Sequence, residues 1–292
     1  MVGKIVKAIS GFYYVDVEAD GIYQCRAKGI FRNRKQSPLI GDNVKFEITH
    51  VGDREGNVTE ILPRRNELVR PTVSNIDQAF IVFSVTHPEP NLNLLDRFLV
   101  AVTMNDIEAI VCFNKTDLLD DAKIKEYCDI YELAGYKTMS ISAYEDESFD
   151  EIKELLKGKT TVFAGPSGVG KSSIINLIQE HTYMEIGKVS DKIKRGKHTT
   201  RHANLIPIDI NSYVVDTPGF SSLSLDNLNL DDLKLHYIEF AEFEPECKFG
   251  GCNHLNEPKC GVKEAIKVNK ISESRYKSYV HIYEELKDIR RW

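Results

Sequence analysis

Short runs in which apolar and polar residues alternate occupy the first part of the chain. GFYYVDV, IYQCRAKG and DNVKFEI are examples, and glycines and polar turns separate them. Alternation with a period of two is typical of strands that bury one face. Residues 1–66 are therefore predicted to form a small all-β barrel.

The pattern changes after LPRRNELVRP, a stretch rich in proline and arginine that is interpreted as a linker. From Ile76 to about Leu223, apolar runs such as AFIVFSV, AIVCF, TTVFA and SYVVD alternate with helical patterns. Such runs are typical of the buried strands of a parallel, doubly wound sheet. Residues 67–223 are assigned to this α/β domain.

The last part of the chain, residues 224–292, is predicted to be a separate α-helical domain. In SESRYKSYVHIYEELKDIRRW, large apolar side chains recur at helical spacing: Tyr276, Tyr279, Val280, Tyr283 and Leu286. A stripe of this kind indicates a helix packed against a core.

Composition and charge exclude several classes of protein. The 292 residues carry a formal net charge of −6, which gives no general reason to expect nucleic-acid binding. No stretch approaches the ~18 uninterrupted apolar residues of a membrane span. Lys7 and Asp16 interrupt any signal-like core at the start. We expect a cytoplasmic protein.

The stretch GPSGVGKSSI has the spacing of a phosphate-binding loop. Its glycines allow a tight turn whose backbone N–H groups point at phosphate oxygens, and the next helix adds its dipole. Lys171 would reach the β- and γ-phosphates, and Ser172 would ligate magnesium. The predicted nucleotide-binding residues here are Gly165, Pro166, Ser167, Gly168, Val169, Gly170, Lys171, Ser172 and Ser173. The alternative is a glycine turn that binds nothing.

A second motif, Asn114-Lys115-Thr116-Asp117, indicates that the base is guanine. The Asp117 carboxylate can accept from the ring N–H and the exocyclic amino group of guanine, whereas adenine would leave it unpaired. Asn114 would brace the loop and Lys115 would cover the base. Backbone N–H groups of Ser142 and Ala143 would meet the guanine carbonyl. Taken singly, the tetrapeptide could also be a surface turn.

Two further segments are predicted to respond to the nucleotide. Asp216 in VVDTPG would hold magnesium through a water, and the Gly219 N–H would meet the γ-phosphate. KVSDKIKRGKHTTRHA is predicted to be a mobile switch, in which Thr199 or Thr200, with Thr200 preferred, ligates magnesium. A solvated basic loop is the alternative.

Catalysis of hydrolysis needs a group that orients water. Ras-like enzymes use a glutamine just after the aspartate-to-glycine turn, but Phe220 occupies that position here, so slow intrinsic hydrolysis is expected. His198 could position the water instead, and the alternatives are a phosphate contact or an exposed histidine. Lys171 and Thr200 complete the predicted catalytic set.

The order of the motifs differs from that of ordinary GTPases, in which the phosphate loop comes first. Here the base loop and the carbonyl loop precede it, so the domain is predicted to be circularly permuted. Permutation is tolerated because domain termini often lie close together.

The sequence Cys247-x4-Cys252-x-His254-x5-Cys260 has the donors and spacing of a metal site. Three thiolates and one imidazole suit closed, tetrahedral Zn²⁺, whose role would be structural. Scattered free thiols are the alternative. Cys25, Cys112 and Cys128 are expected to be ordinary buried cysteines.

The predicted barrel carries five basic residues and no acid from Arg26 to Lys35. Small all-β barrels often bind RNA as oligonucleotide-binding (OB) folds. A solvated hairpin explains this run nearly as well.

Together these motifs resemble those of the ribosome small-subunit-dependent GTPase family. NKTDL, GPSGVGKSSIIN, RGKHTT, VDTPGF and CKFGGCNHLNEPKC occur in that order, and the similarity spans essentially the whole chain. The resemblance implies an N-terminal OB-fold, a permuted GTPase domain and a C-terminal zinc domain. It also implies a late assembly factor that binds the small ribosomal subunit and its rRNA, is stimulated by the subunit and leaves after GTP hydrolysis. The protein is expected to be a monomer. The family's hydrophobic substitution falls on Phe220, and its proposed water-orienting histidine falls on His198.

Two other functional classes share part of the pattern. A P-loop kinase would have GPSGVGKS but would not need NKTD or a basic switch. A non-enzymatic RNA-binding scaffold would use GTP only for stability and would bind the subunit equally well with GTP and GDP.

Overall fold

The computed structural model describes residues 1–18, 20–27, 31, 37–50, 52–69, 71–142, 149–186, 203–216, 225 and 228–289. The chain divides into two compact units. The first comprises residues 1–78, 147–163 and 172–220, and the second comprises residues 79–146, 164–171 and 221–292.

The first unit begins with a closed five-stranded barrel. Its strands are β1 (Val2–Ile9), β2 (Phe12–Val17), β3 (Gly21–Ala27), β4 (Asn43–His50) and β5 (Glu55–Ile61), closing in the order β1-β2-β3-β5-β4. Neighbours are antiparallel except β3 and β5, which are parallel. Val15, Val17, Tyr23 and Cys25 are buried, because strand residues two apart point to the same face. The predicted all-β barrel is confirmed.

The stretch interpreted as a linker begins a short hairpin and pairs with a buried carboxylate outside it. The hairpin consists of β6 (Glu67–Val69) and β7 (Thr72–Ser74). Arg64 donates to both carboxylate oxygens of Asp42 over 2.7 and 2.8 Å, and Ser74 Oγ donates to the same carboxylate over 2.6 Å. Asp42 is completely buried, and a buried carboxylate is stable only with such partners. This stretch is therefore fixed to the loop that precedes β4.

The predicted central α/β domain is confirmed as a set of alternating strands and helices. In chain order these are β8 (Gln78–Ser84), α1 (Leu92–Thr103), β9 (Glu108–Asn114), α2 (Asp121–Leu133), β10 (Lys137–Ile141), α3 (Phe149–Leu156), β11 (Thr160–Ala164), α4 (Lys171–Ile186), β12 (Asn204–Asp209) and β13 (Ser212–Asp216). β8 and β11 are buried at every position, which explains their continuous apolar runs.

The strands of each unit have a defined order. The second unit has the order β10-β9-β8, and the first has β11-β13-β12. β9 and β10 are parallel, as are β11 and β13, but β12 runs antiparallel to β13. The prediction of a fully parallel sheet is wrong for β12. The two-residue turn at Ile210 and Asn211 that joins β12 to β13 is too short for a parallel crossover.

The C-terminal segment completes the second unit. It contains 3₁₀ turns at Leu230–His236, Ile238–Phe240 and Glu244–Glu246, followed by helices α5 (Gly261–Lys267) and α6 (Glu273–Ile289). Of the predicted stripe, Tyr279, Tyr283 and Leu286 are buried, and Tyr276 and Val280 pack against the same core. None of the helices in the described ranges combines the length and apolar character needed to cross a membrane.

Helix α6 also buries an arginine, which joins it to helix α1. Arg275 is 1% exposed and donates to Asp96 Oδ1 over 2.6 Å and to the two carboxylate oxygens of Glu239 over 2.8 and 3.0 Å. The ring centroids of Tyr237 and Tyr136 lie 4.7 and 5.3 Å from the guanidinium carbon. The C-terminal segment is thus anchored to α1 by a buried ion triad.

Candidate functional site

The predicted phosphate loop lies between strand β11, which ends at Ala164, and helix α4, which begins at Lys171. Two of its glycines have backbone angles and neighbours that exclude a side chain. A Cβ on Gly165 (φ +142°) would lie 2.1 Å from the Val82 carbonyl oxygen, and one on Gly170 (φ +98°) would lie 2.1 Å from Asn114 Nδ2. The turn therefore depends on glycine at these positions.

The Lys171 ammonium group lies within this loop. It donates to the carbonyl oxygens of Gly165 over 2.7 Å and Pro166 over 2.6 Å. Burial lowers the pKa of Lys171, since desolvation disfavours the charged form. A phosphate would favour the ammonium form, so the side chain is placed to bind an anion.

The motif predicted to bind the base is hydrogen-bonded to the phosphate loop within the second unit. Asn114, the last residue of β9, is buried and donates from Nδ2 to the Val169 carbonyl oxygen over 2.8 Å. Lys115 has a left-handed backbone (φ 64°) and donates from Nζ to the Gly168 carbonyl oxygen over 2.9 Å. The structure therefore brings together two motifs whose bonded residues are 55 and 53 positions apart in sequence.

Asp117 and Ser142 are also adjacent. The buried Ser142 hydroxyl donates to Asp117 Oδ1 over 2.8 Å, and Asp117 itself is exposed. The serine holds one carboxylate oxygen in place. A carboxylate oriented in this way can accept two parallel N–H groups from a planar base.

Sequence reasoning missed the segment that follows β8. Lys115 Nζ also donates to the His87 carbonyl oxygen, Ser84 Oγ donates to the Pro88 carbonyl oxygen over 2.7 Å, and a Cβ on Gly168 would lie 4.0 Å from Pro88 Cδ. The available signal was positional. Ligand sites in open α/β sheets lie beyond the carboxyl ends of the strands, and this segment directly follows such an end.

The remaining predicted nucleotide-site residues fall into two groups. Ser172 and Ser173 are exposed in the first turn of α4, and Asp216 is the last residue of β13. Ala143, His198, Thr199, Thr200, Gly219 and Phe220 lie outside the described residues.

The four predicted metal ligands form one cluster. The ligand atoms of Cys247, Cys252, His254 and Cys260 all lie within 4.8 Å of one another. His254 Nδ1 lies 3.6 Å from Cys247 Sγ and 3.3 Å from Cys260 Sγ. The sulfur and nitrogen donors converge as tetrahedral Zn²⁺ requires, so the Cys3His group suits zinc.

Neighbouring groups fix the cluster from outside. The Gly261 N–H donates to Cys247 Sγ over 3.3 Å, and the His254 N–H donates to Cys252 Sγ over 3.4 Å. The Tyr276 hydroxyl on α6 donates to the His254 carbonyl oxygen over 2.7 Å. Such outer contacts orient ligands and stabilise thiolate charge.

Burial favours the uncharged forms of the side chains in the cluster. Burial raises the pKa of the Cys252 thiol to about 12, raises the pKa of Cys260 and lowers the pKa of His254. Buried thiols remain protonated in apolar surroundings, whereas a divalent ion deprotonates them on binding. The cluster is therefore expected to release protons when it takes up zinc.

Two family models match the chain. The model for the RsgA GTPase matches residues 61–226, and the model for the RsgA N-terminal domain matches residues 2–57.

The chain is similar to two proteins described as small ribosomal subunit biogenesis GTPase RsgA. The protein of Agathobacter rectalis is 51% identical, with 100% of both chains covered. The protein of Alkaliphilus metalliredigens is 46% identical, with 99% of each covered.

Two solved structures have the same fold. YloQ, a circularly permuted GTPase, is 41% identical with a TM-score of 0.84, over 98% of this chain and 95% of that one. YjeQ from Thermotoga maritima is 36% identical with a TM-score of 0.83, over 98% of each chain.

Proposed function

This chain belongs to the RsgA family of circularly permuted GTPases, and from that premise we propose that it acts in the late assembly of the small ribosomal subunit. It binds the subunit, hydrolyses GTP faster when bound there, and leaves after hydrolysis. The observation that carries this proposal is that the side chains of Asn114 and Lys115 both donate hydrogen bonds to the phosphate loop. These bonds link recognition of the base to recognition of the phosphates.

Guanine is recognised by the Asn114–Asp117 loop. The Asp117 carboxylate, held by Ser142, accepts the N–H and amino groups that guanine has and adenine lacks. The Lys115 stem covers one face of the base, and the Ser142 and Ala143 N–H groups bind its carbonyl.

The triphosphate is bound by residues Gly165 to Ser173. Backbone N–H groups of the loop and the start of α4 surround the phosphates, and Lys171 pairs with the β- and γ-phosphates. Ser172, Thr200 and Asp216 hold magnesium, with Thr199 as the alternative to Thr200, and the Gly219 N–H meets the γ-phosphate. Bound by these residues, magnesium would supply positive charge to the phosphate oxygens.

His198 positions the attacking water in this proposal, because Phe220 cannot. Its role depends on ordering of the switch by the subunit, so turnover is expected to be slow without the subunit. If a His198→Ala variant kept full subunit-stimulated turnover, this assignment would be wrong.

The N-terminal and C-terminal domains support binding to the subunit. Residues 1–66 form the OB-fold that contacts rRNA, residues 67–223 the GTPase domain, and residues 224–292 the domain stabilised by one zinc ion. In the barrel, Arg26 lies over the Phe12 ring, 4.8 Å from its centroid, a combination of cation and aromatic ring that suits RNA. We place the protein in the cytoplasm, because ribosomal subunits are assembled there. We also propose that it is a monomer.

The test is hydrolysis of GTP and of ATP by purified protein, alone and with small or large ribosomal subunits at fixed salt. GTP turnover should be slow alone and rise only with small subunits, and ATP should not be hydrolysed. Phosphate transfer to an acceptor would instead indicate a kinase. Equal subunit binding with GTP and GDP would indicate a scaffold.

An Asp117→Asn variant provides the matched control for the base. Its amide can donate to xanthine, which has an oxygen where guanine has an amino group. GTP hydrolysis should be lost and xanthosine triphosphate hydrolysis gained. Unchanged preference for GTP would refute the role of Asp117.

A further inference from the structure

An open groove of about 260 Å³ lies between helix α2 and the turn that joins α5 to α6. Both of its walls belong to the second unit. Among the described residues, no member of the predicted nucleotide site and no ligand of the metal cluster lines it. The functions assigned above therefore leave this groove unused.

The base of the groove is apolar. On α2, Glu126, Asp129, Ile130 and Leu133 have the spacing i, i+3, i+4, i+7, so their side chains lie on one face of the helix. Leu133 is 47% exposed, and Ile271 on the opposite wall is buried. An apolar side chain of a partner can bury the exposed part of Leu133 there.

The wall opposite α2 is held by backbone hydrogen bonds. The Asn269 N–H donates to the Ile266 carbonyl oxygen over 3.0 Å, and the Lys270 N–H donates to the Ala265 carbonyl oxygen over 2.9 Å. Lys270 does not line the groove, and its Nζ lies 5.6 Å from the centroid of the Phe243 ring. This wall is thus fixed by its own turn and brings no cation to the groove.

The rim of the groove is acidic. Glu126, Asp129 and Glu273 supply three carboxylates, and no lysine or arginine of the described ranges is among the lining residues. Glu273 also lies in the first turn of α6, where its charge offsets the positive end of the helix dipole. A partner therefore meets negative charge around an apolar base.

Each carboxylate of the rim has a lysine partner on its own helix. The pairs are Glu126 with Lys123, Asp129 with Lys125 and Glu273 with Lys277. All six side chains are at least 47% exposed, and exposed pairs contribute little to stability. A cation from a partner can therefore replace each lysine at little cost.

We infer that the groove is a docking site for a basic protein segment that carries one large apolar side chain. The apolar side chain lies between Leu133 and Ile271, and flanking lysines or arginines pair with the acidic rim. RNA does not suit the groove, because its phosphates would face three carboxylates. This inference rests on the proposed function, since the segment would belong to a protein of the small subunit. Proteins that lie against rRNA carry many lysines and arginines to neutralise its phosphates.

The first experiment measures the affinity of a Leu133→Ala variant for purified small subunits, with a non-hydrolysable GTP analogue present. Loss of the apolar contact should weaken binding about 3- to 10-fold. Leu235→Ala is the matched control and should bind like the wild type, because Leu235 is 60% exposed in the same unit but does not line the groove. Zinc content, melting temperature and basal GTP hydrolysis should be unchanged in both variants.

A charge variant distinguishes a basic partner from RNA. Asp129→Asn combined with Glu273→Gln should weaken binding to small subunits by about 2- to 5-fold for each charge. If the groove faced rRNA, removal of two negative charges would instead strengthen binding. The sign of the change therefore tests the class of partner.

Photo-crosslinking identifies the partner segment directly. Benzoylphenylalanine in place of Glu126 puts the reactive group at the rim and leaves two of its three carboxylates. The same replacement of Glu132, an exposed residue of α2 that does not line the groove, is the control. On purified small subunits the Glu126 variant, but not the Glu132 variant, should crosslink to a lysine- and arginine-rich segment of a subunit protein.

The outcomes separate the two proposals. If the wild-type protein binds no small subunits, the proposed function is wrong, and the docking inference falls with it. If the wild type binds but Leu133→Ala binds equally well, or the charge variant binds as well or better, the docking inference fails alone. A crosslink from position 126 to rRNA, to an acidic segment or to a second copy of this chain, or no crosslink, also overturns it.

Discussion

Replacement of Arg275 by methionine should destabilise the protein by about 3–5 kcal/mol, because it leaves two buried carboxylates without their partner. Asp96 is completely buried and Glu239 is 8% exposed, and Arg275 supplies the cation that both face. Methionine fills most of the volume but provides neither charge nor donors. The predicted loss is therefore electrostatic and not due to a cavity.

The free energy of unfolding is measured by urea denaturation followed by circular dichroism. Arg97→Met is the matched control, since Arg97 on α1 pairs with Glu285 on α6, and both side chains are partly exposed. An ion pair of this kind contributes about 0–1 kcal/mol. Arg275→Lys keeps the charge, so its loss of stability should lie between those of Arg275→Met and Arg97→Met. It replaces Arg275→Met in the measurement if that variant does not fold.

The effect should also depend on pH. Burial already raises the pKa of Asp96, although Arg275 counteracts this shift. Without Arg275 the folded state would hold the Asp96 proton more tightly than the unfolded state, whose pKa is about 3.9. The variant should then lose further stability as pH rises above about 4. A loss no larger than that of Arg97→Met at pH 7, or a loss that shrinks as pH rises, would refute the reasoning.

Three other perturbations test separate parts of the molecule. Gly170→Ala should displace the Asn114 amide and lower GTP affinity at least tenfold, as measured by calorimetry, whereas Gly158→Ala (φ +67°, with no atom within 4 Å) shows the effect of backbone strain alone. Removal of zinc by a chelator should lower the melting temperature and expose the cysteines to thiol reagents. Equal melting curves with and without metal would contradict a structural role. Glu257→Gln should weaken the hydrogen bonds that the Asn253 and Leu255 N–H groups donate to this side chain. It should lower the free energy of unfolding by about 1 kcal/mol, measured as a shift in the urea midpoint. No shift would show that the carboxylate charge is not needed there.

Much of the candidate site was accessible from sequence because its chemistry is local. The glycine spacing of the phosphate loop determines a turn that non-glycine residues cannot form, and the clashes at Gly165 and Gly170 give the reason. The cysteine and histidine spacing likewise places four donors within reach of one ion. The alternating pattern of residues 1–66 predicted a barrel, because the period of a strand is a local property.

Tertiary structure decided which distant groups become partners. Arg275 lies in a helical segment of mixed charge, and nothing nearby in sequence distinguishes it from an exposed arginine. Its burial depends on Asp96, 179 residues earlier, and on Glu239, 36 residues earlier. The hydrogen bond from Lys115 to the His87 carbonyl oxygen also depends on the fold, because His87 lies beyond the end of a different strand. Sequence thus determined turn chemistry, metal donors and strand period, which act over a few residues. Only the fold determined the charge pairs and loop contacts, because their energies depend on burial and on distances between remote segments.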